Sequence, residues 1–340
     1  MSFPHRSEPL DLRRRRIFIT GGTGFVGRSL LDYLIESACR HGGAPEVTVL
    51  SRSPLGFQQR FPCYSNLPWL NFVQGDLNNL PAPVPGRFTD LVHGAADTHS
   101  QDNPLAWLSQ LVDGTHKVLD FAREARVERM LFISSGAVYG PQPPGVPSLR
   151  EDHPFAPSST DVKSVYGNGK RMAEHLCALY SKHHDGPPCV IARCFAIVSQ
   201  HIPLDGPYAL GNFMRDALAA QGIRISGDGQ TVRSYIDGRD MAHWMFTLLL
   251  RGVSGEAYNV GSDQPVTTLE LATAIRDLFG IGQPVEVIGR TDSGSRSVYL
   301  PNVQKAGELG LSVEQSLENA LVEIARALKP VNEGQTAPPS

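Results

Sequence analysis

Residues 17–27 read Ile-Phe-Ile-Thr-Gly-Gly-Thr-Gly-Phe-Val-Gly, so a GxGxxG pattern directly follows an apolar, β-branched run. Gly22 and Gly24 let the backbone turn tightly and approach a pyrophosphate, and Gly27 lets the following helix pack on the strand. The free N–H groups at the start of that helix attract phosphate. We therefore expect a dinucleotide-binding loop rather than a ligand-free turn. The expected contacts are Gly21, Gly22, Thr23, Gly24, Phe25, Val26 and Gly27.

Short apolar runs alternate with helical patterns through the first half of the chain. The runs predict strands at Arg16–Thr20, Glu46–Leu50, Asn71–Val73, Asp90–His93 and Met130–Ser134. The helical patterns lie at Gly27–Ala38 and Pro104–Ala125. This rhythm predicts a parallel sheet with helices on both faces. The six prolines between Pro141 and Pro157 predict a loop arching over the sheet edge, before a helix near Val162–Lys182.

The second half continues with further predicted elements. Strands are expected at Val190–Arg193 and Ala257–Val260, and helices at Asn212–Ala220, Met241–Leu250 and Thr268–Phe279. The chain is thus expected to be an α/β protein, a Rossmann-type doubly wound parallel sheet with a smaller C-terminal substrate-binding α/β domain. The dinucleotide-binding domain is assigned to residues 13–194 and 235–262, the substrate domain to 195–234 and 263–330, and a disordered tail to 331–340.

Composition narrows the classes of partner. The chain has 340 residues, 41% of them hydrophobic, and a formal net charge of −3. It lacks the basic field that nucleic acid or an anionic membrane surface requires, so we expect neither partner. No apolar run approaches the roughly 18 residues that span a bilayer. The five cysteines are scattered, without CxxC or Cys/His spacing, so we expect no metal site and a reducing, cytoplasmic location.

The end of the second predicted strand should select the dinucleotide. NAD-binding folds usually carry an acid there for the ribose 2′-hydroxyl, but this chain has Ser51 and Arg52. A guanidinium matches phosphate oxygens, which favours NADP. The alternative is NAD, with Arg52 solvated. At the end of the next strand, Asp76, followed by Leu77, either accepts a hydrogen bond from the adenine amine or caps a helix.

Two ionisable side chains stand four positions apart in Tyr166-Gly167-Asn168-Gly169-Lys170. On a helix this spacing places them on one face. A phenol with a pKa of about 10 is a poor base at neutral pH, and an adjacent cation favours the phenolate. Lys170 would thus tune Tyr166. Upstream, Ser135 ends a predicted strand with a hydroxyl suited to a substrate oxygen.

Together, in this order, these motifs resemble the extended short-chain dehydrogenase/reductase family, in particular its nucleotide-sugar epimerases, dehydratases and reductases. The resemblance runs from Arg16 to about Leu328. Further family-like stretches are His93-Gly94-Ala95-Ala96, Ala192-Arg193-Cys194-Phe195, residues 227–236, residues 258–262 and Arg296. The resemblance implies a catalytic triad of Ser135, Tyr166 and Lys170. Tyr166 would exchange a proton with a sugar oxygen while hydride moves between that carbon and the nicotinamide.

The resemblance also implies binding residues. Lys170 would hold the nicotinamide ribose, and Ala95 and Ala96 would contact the cofactor. The implied nucleotide-sugar contacts are Ser135, Gly136, Asn212, Arg233 and Arg296, the two arginines gripping the diphosphate. His93, Cys194 and Phe195 are interpreted as packed rather than catalytic. A homodimer is expected through the helices at Pro104–Ala125 and Val162–Lys182. Their apolar residues include Leu105, Leu108, Leu111, Val112, Leu119, Met172, Leu176 and Leu179.

Two positions depart from the family pattern. Members that eliminate water usually carry an Asp-Glu pair after the catalytic hydroxyl, where this chain has Gly136 and Ala137, and Ala196 replaces a frequent asparagine. With Arg52, this favours an NADPH-dependent reductase of a 4-keto-6-deoxy nucleotide sugar. The alternative is a nucleotide-sugar 4-epimerase, or a dehydratase, with tightly retained NAD. A non-catalytic dinucleotide sensor is the third hypothesis, which the intact Ser-Tyr-Lys set disfavours.

Overall fold

The structure, a computed structural model, describes residues 7–96, 103–183, 185–290 and 297–328. The strands are β1 Arg16–Thr20, β2 Glu46–Ser51, β3 Leu70–Gln74, β4 Asp90–His93, β5 Arg129–Ser135, β6 Cys189–Cys194, β7 Ala196–Val198, β8 Arg224–Ile225, β9 Val232–Arg233, β10 Tyr235–Asp237, β11 Ala257–Val260, β12 Val266–Thr267, β13 Glu286–Val287 and β14 Val298–Tyr299. The α-helices are α1 Phe25–His41, α2 Pro54–Arg60, α3 Pro104–Glu124, α4 Val165–His183, α5 Ala209–Leu218, α6 Gly238–Arg251, α7 Thr268–Phe279, α8 Gln304–Gly307 and α9 Leu317–Leu328.

Seven strands form one parallel sheet in the order β3-β2-β1-β4-β5-β6-β11. The chain winds outward from β1 to β3 and then returns past β1 to β4, so the direction of winding reverses between β1 and β4. Ligands of such sheets bind outside the carboxyl ends of the strands at this reversal. The predicted Rossmann-type fold class is confirmed.

Hydrophobic cores on the two faces of the sheet explain why its strands read as apolar runs. One core packs β1 and β2 against α1 and α6, with Leu31 and Trp244 almost fully buried. The other packs α3 and α4 against the opposite face, around Phe132 and Val118. Strands covered on both faces need no polar alternation.

A third core forms under α5, α7 and α9, around Phe213, Leu271 and Leu321. Strands of two or three residues in small sheets, β10-β7, β12-β9-β14 and β13-β8, accompany this part of the chain. These strands and the short helices α2 and α8 were not predicted, because so few residues show no clear period. The 12-residue helix α9 was not predicted either, although its apolar residues follow a helical period. The helix expected at Val162–Lys182 begins as a 3₁₀ turn at Val162–Ser164 before α4.

The proline-rich segment 141–157 packs against the residues that follow β14. The Leu149 amide donates to the Leu300 carbonyl at 2.8 Å, and the Asn302 amide donates to the Leu149 carbonyl at 2.8 Å. Leu149 itself is buried. The segment is thereby tied to the residues that follow β14, at the edge of the sheet where β11 lies.

In the ranges that the structure describes, no helix is long and apolar enough to cross a bilayer. Within the same ranges, no group of three or more His, Cys, Asp or Glu side chains is arranged to hold a metal ion. Arg296 and the tail 331–340 lie outside the described residues.

Candidate active site

A cavity of about 650 Å³ opens at the carboxyl edge of the sheet, at the reversal between β1 and β4. Most of the residues that the sequence analysis predicted as site residues line this cavity. They are Gly21, Thr23, Gly24, Phe25, Val26, Gly27, Ser51, Arg52, Asp76, Leu77, Ala95, Ala96, Ser135, Tyr166 and Lys170. The glycine loop and the Ser-Tyr-Lys set therefore face one space.

The loop between β1 and α1 depends on backbone conformation and close approach. Gly21 has φ +76°, in the left-handed region. A Cβ on Gly27 would lie 2.3 Å from the Gly21 carbonyl oxygen, so only glycine lets α1 start this close to the turn. Gly22 does not line the cavity, because it lies against Val49 of β2. The loop leaves the amides at the start of α1 beside the cavity, where a phosphate is stabilised.

The end of β2 carries the two residues proposed to select the dinucleotide. Ser51 is buried and its hydroxyl accepts a hydrogen bond from the Ser53 amide at 3.2 Å. Arg52 is exposed at the rim of the cavity. A cation here leaves a phosphate at the 2′ position free of repulsion from a carboxylate.

Asp76 caps a turn and not the helix that the sequence offered as one alternative, while its contact with an adenine amine stays a prediction. Its Oδ1 accepts hydrogen bonds from the amides of Asn78 at 2.8 Å and Asn79 at 2.9 Å, which caps the turn after β3. The same residue lines the cavity, beside buried Leu77. The turn thus fixes a carboxylate at the edge of the cavity that lies nearest β3.

Tyr166 lies in the first turn of α4 and is partly buried. Its ring stacks on Trp107 of α3, with ring centroids 5.4 Å apart and planes inclined by 23°. Burial raises the pKa of Tyr166, and a hydrogen bond with the Ser135 hydroxyl partly opposes that rise. Without ligand the phenol is therefore a proton donor at neutral pH, and it stands beside the serine hydroxyl with which it was expected to act.

Lys170 is only 3% exposed, on the same helix face one turn further on. Its Nζ donates to the Ile133 carbonyl at 2.8 Å and lies 4.7 Å from the centre of the Phe132 ring. Burial lowers the pKa of Lys170 to about 8, and the Glu174 carboxylate opposes that decrease. The end of β5 thus holds the ammonium in the floor of the cavity.

His93 ends β4 and is fully enclosed, with 1% of its surface exposed. Its Nδ1 lies 2.7 Å from the Thr20 hydroxyl and its Nε2 lies 3.1 Å from the Thr115 hydroxyl. Burial lowers the pKa of His93 to about 3. The neutral ring bridges β1 and α3, which agrees with a packing role.

The proposed substrate residues are less closely gathered. Asn212 donates from Nδ2 to the Gly206 carbonyl at 3.2 Å and so supports the loop before α5. Arg233, in β9, is partly buried, and its guanidinium carbon lies 5.3 Å from the centre of the Tyr299 ring. Gly136 is buried below that same tyrosine. Neither Asn212, Arg233 nor Gly136 lines the 650 Å³ cavity.

Tyr299 is a site residue that the sequence analysis missed. A Cβ on Gly136 would lie 2.2 Å from the Tyr299 hydroxyl, and the Tyr299 ring centre lies 4.6 Å from that of Phe195. Burial raises the pKa of Tyr299, while a hydrogen bond with Ser135 lowers it. The pairing of β14 with β9, which aligns Tyr299 with Arg233, carries the phenol there. No local pattern around position 299 signals this contact.

Aromatic side chains enclose both ends of the cavity. Trp107 covers Tyr166, and Tyr208 meets Phe25 of the glycine loop edge-on, with ring centroids 5.4 Å apart. Tyr208 and Trp107 both line the cavity, as do Cys194 and Phe195. The space therefore combines amides for phosphate, apolar walls for planar rings, and a hydroxyl pair beside an ammonium. This set suits hydride exchange between a dinucleotide and an alcohol or ketone.

The sequence profile of the NAD dependent epimerase/dehydratase family matches residues 17–261, from β1 through β11. The low-salt glycan biosynthesis protein Agl12 of Haloferax volcanii is 28% identical over 311 residues, covering 90% of this chain and 96% of that protein. UDP-glucuronic acid decarboxylase 3 of Arabidopsis thaliana is 26% identical over 311 residues, covering 90% of this chain and 86% of the relative.

A solved structure shares the architecture. DesIV, a dTDP-glucose 4,6-dehydratase from Streptomyces venezuelae determined with NAD bound, has a TM-score of 0.78 at 25% identity. The superposition covers 92% of this chain and 96% of DesIV. The likeness therefore includes the smaller C-terminal part as well as the seven-stranded sheet.

Proposed function

The chain belongs to the NAD dependent epimerase/dehydratase family, and from this premise we propose that it oxidises a hydroxyl of a nucleotide-linked sugar with bound NAD and returns the hydride to the same carbon. The observation that carries the proposal is the single cavity in which the glycine loop faces Ser135, Tyr166 and Lys170. Oxidation needs Tyr166 as the phenolate, which the Lys170 ammonium would favour against the effect of burial. The phenolate takes the hydroxyl proton, Ser135 orients the oxygen, and Lys170 also holds the nicotinamide ribose. NAD supplies the hydride acceptor when it is bound.

Return to the same carbon follows from what surrounds Ser135. Elimination of water needs an acid and a base near the sugar, and the next two residues are Gly136 and Ala137. Gly136 has no room for a side chain, because Tyr299 and Phe195 occupy that space. Epimerisation, or loss of carbon dioxide from a β-keto acid, needs no such pair. We therefore favour one of these outcomes over dehydration.

A net reductase using NADPH is the second candidate, and Ser51 and Arg52 at the cavity rim favour it. In that case the dinucleotide exchanges after each turnover, and the keto sugar arrives as substrate. The two candidates differ in whether the protein keeps its dinucleotide through purification.

The test follows a deuterium label at C4 of the sugar. UDP-glucose, UDP-glucuronic acid and dTDP-glucose, each deuterated at C4, are incubated with the native chain and NAD. Label retained at C4 of an epimerised or decarboxylated product supports the proposal. Label moved to C6 means dehydration and overturns the preference for return to C4. Turnover only with NADPH and a separately prepared 4-keto-6-deoxy sugar supports the reductase.

We also propose the division of labour between the two parts of the chain. Residues 13–194 with 235–262 would bind the dinucleotide, and residues 195–234 with 263–330 would bind the nucleotide sugar. Arg233 and Arg296 would grip the diphosphate, since a guanidinium pairs with phosphate through two parallel hydrogen bonds. Asn212 would act by holding the loop before α5. The cytoplasmic location stays a prediction from the cysteines.

A homodimer through α3 and α4 is part of the proposal. Leu105 is 81% exposed and Met172 50% exposed. Met172 lines a surface depression of about 740 Å³ together with Leu108 of α3 and Val165 of α4. A second copy of the same helices would cover these apolar side chains in a four-helix packing. Sedimentation should show a dimer, and Leu105→Glu should dissociate it. A concentration-independent monomer for the native chain overturns this part.

A further inference from the structure

Glu174 is a buried carboxylate that the proposed reaction does not use. It lies on α4 one turn after Lys170, and its side chain is 8% exposed. Arg193 of β6 donates three hydrogen bonds to it, from Nε to Oε1 at 3.0 Å and to Oε2 at 3.2 Å, and from Nη2 to Oε2 at 2.8 Å. Replacing a buried ion pair with apolar residues is often neutral or stabilising. Stability alone is therefore a weak reason for this pair in the core.

The carboxylate is bonded to the strand that carries the catalytic serine. Ser134 donates from its hydroxyl to Glu174 Oε1 at 2.6 Å. Ile133, the residue before it, gives its carbonyl to Lys170, and Ser135, the residue after it, interacts with Tyr166. Three side chains spaced four residues apart on α4 thus hold the last three residues of β5. A shift of α4 along the strand would break all three contacts.

Arg193 also links the Glu174 carboxylate to neighbouring elements of the fold through further hydrogen bonds. Its Nη1 donates to the Tyr139 hydroxyl at 2.9 Å and to the Glu151 carbonyl at 3.0 Å. The Tyr139 hydroxyl donates in turn to Asn259 Oδ1 in β11, at 2.8 Å. The guanidinium therefore connects α4, the turn after Ser135 and the edge strand. A rigid support of this kind keeps reacting groups in register.

The negative charge of Glu174 also acts on the Lys170 ammonium. The ionisable groups whose charge acts on the Lys170 ammonium are Glu174 and Cys177 from its own helix and Cys194 from β6, and the ammonium in turn acts on His93 of β4. Tyr166 lies one turn earlier on the same helix. His93 is neutral, and burial keeps the Cys194 thiol protonated. Among these groups the Glu174 carboxylate is the principal counter-charge, and Arg193 faces it from the far side.

We propose that Glu174 is a positioning residue of the reaction: with Arg193 and Ser134 it locks the catalytic face of α4 against the end of β5, and it keeps the Lys170 ammonium charged. The inference rests on the proposed hydride transfer, because it assigns a role in that step. It predicts two separable effects of one carboxylate, one on geometry and one on charge.

The test mixes the full chain, loaded with NAD, in turn with UDP-glucose, UDP-glucuronic acid and dTDP-glucose, and measures the transient NADH absorbance by stopped flow and the rate of product formation, both against pH. Glu174→Gln should slow hydride transfer about ten- to a hundredfold, with a smaller change in KM. It should also move the alkaline limb of the rate profile to lower pH, because an ammonium without its carboxylate loses its proton more readily. If Glu174 had only a structural role, the substitution would slow hydride transfer without moving the alkaline limb of the pH–rate profile.

Two variants separate charge from geometry. Glu174→Asp keeps the charge but shortens the reach, so its rate should fall while the alkaline limb stays in place. Glu36→Gln is the matched control, since Arg239 holds Glu36 through two hydrogen bonds of 2.7 and 2.8 Å, outside the cavity. Glu36→Gln should leave both the rate and the limb unchanged.

Each result decides the inference. If the native chain reduces NAD and Glu174→Gln behaves like Glu36→Gln, the inference is wrong and the proposed function stands. If the native chain transfers hydride with no probe, the proposed function fails and the inference with it. Should Glu174→Gln not fold, Ser134→Ala removes one hydrogen bond and keeps the ion pair. A lowered kcat with unchanged dinucleotide affinity supports the inference, and native kcat overturns it.

Discussion

The two ends of the cavity are built on different principles. At the predicted dinucleotide end the backbone decides the geometry: Gly21 and Gly27 allow a close turn, and residues at the start of α1 line the cavity. At the catalytic end side chains act, and burial sets the ionisation of Tyr166 and Lys170. Changes at the first end should therefore alter dinucleotide affinity, and changes at the second should alter the rate of chemistry.

The largest expected effect is at the catalytic end. Tyr166→Phe removes the proton carrier but little volume, so hydride transfer should slow by at least about 10²-fold while NAD affinity changes little. Stopped-flow absorbance gives the rate and calorimetry the affinity. The control is Tyr258→Phe, because that buried ring lies outside the cavity. More than about a tenth of native activity in Tyr166→Phe would contradict the assignment.

At the dinucleotide end, Arg52→Asp should change the relative affinity for NADPH and NADH and leave the rate of hydride transfer unchanged. A guanidinium paired with the 2′-phosphate contributes on the order of 1.5–3 kcal/mol, or about ten- to a hundredfold in affinity. In the variant, the affinity for NADPH should therefore fall about ten- to a hundredfold relative to the affinity for NADH. Binding of both dinucleotides to the native chain and the variant is the measurement. Equal native affinities, unmoved by the substitution, would make Arg52 a bystander and remove the main argument for the reductase.

Gly27→Ala should damage the backbone of the dinucleotide end. Its Cβ would lie 2.3 Å from the Gly21 oxygen and 2.5 Å from the Gly22 Cα, so the turn must shift. We expect a loss of about 1–3 kcal/mol in unfolding free energy, as for overpacking, and weaker NAD binding. Urea denaturation measures the first quantity. Gly282→Ala is the control, since nothing lies within 4 Å of its Cβ. Equal stabilities of the two variants would refute the close-approach argument.

The last prediction concerns the pH dependence of stability at His93, which is buried beside the cavity and not part of its lining. Its pKa falls from 6.5 to about 3 on folding, so the unfolded chain binds the extra proton between these values. Its stabilising contribution is present above pH 6.5 and is lost as pH falls, at about 1.4 kcal/mol per pH unit. His93→Gln should flatten this slope by one proton in urea titrations from about pH 4 to 7. An unchanged slope would mean that His93 is not buried neutral.

The sequence predicted those features whose physical signal is local. Parallel strands covered on both faces read as apolar runs, and the glycine pattern and the Tyr-Lys spacing each lie within one element. The boundaries of β4 and β11 agree with the prediction to the residue.

Features that depend on contacts between residues far apart in the sequence could not be predicted from such local signals. Tyr299 reaches Gly136 through a pairing of two-residue strands, and Trp107 reaches Tyr166 across two helices. Glu174 and Arg193 meet only after α4 docks on the sheet. In each case the chemistry depends on tertiary packing, and no local period specifies the partner.

The central claim, that the glycine loop and the Ser-Tyr-Lys set serve one dinucleotide, is tested most directly by a crystal structure with NAD and UDP. We predict that the pyrophosphate lies at the start of α1 and the adenine beside Asp76 and Leu77. The nicotinamide should lie beside Tyr166, with its ribose hydroxyls hydrogen-bonded to Lys170. A dinucleotide bound in the opposite direction, or outside this cavity, would contradict it.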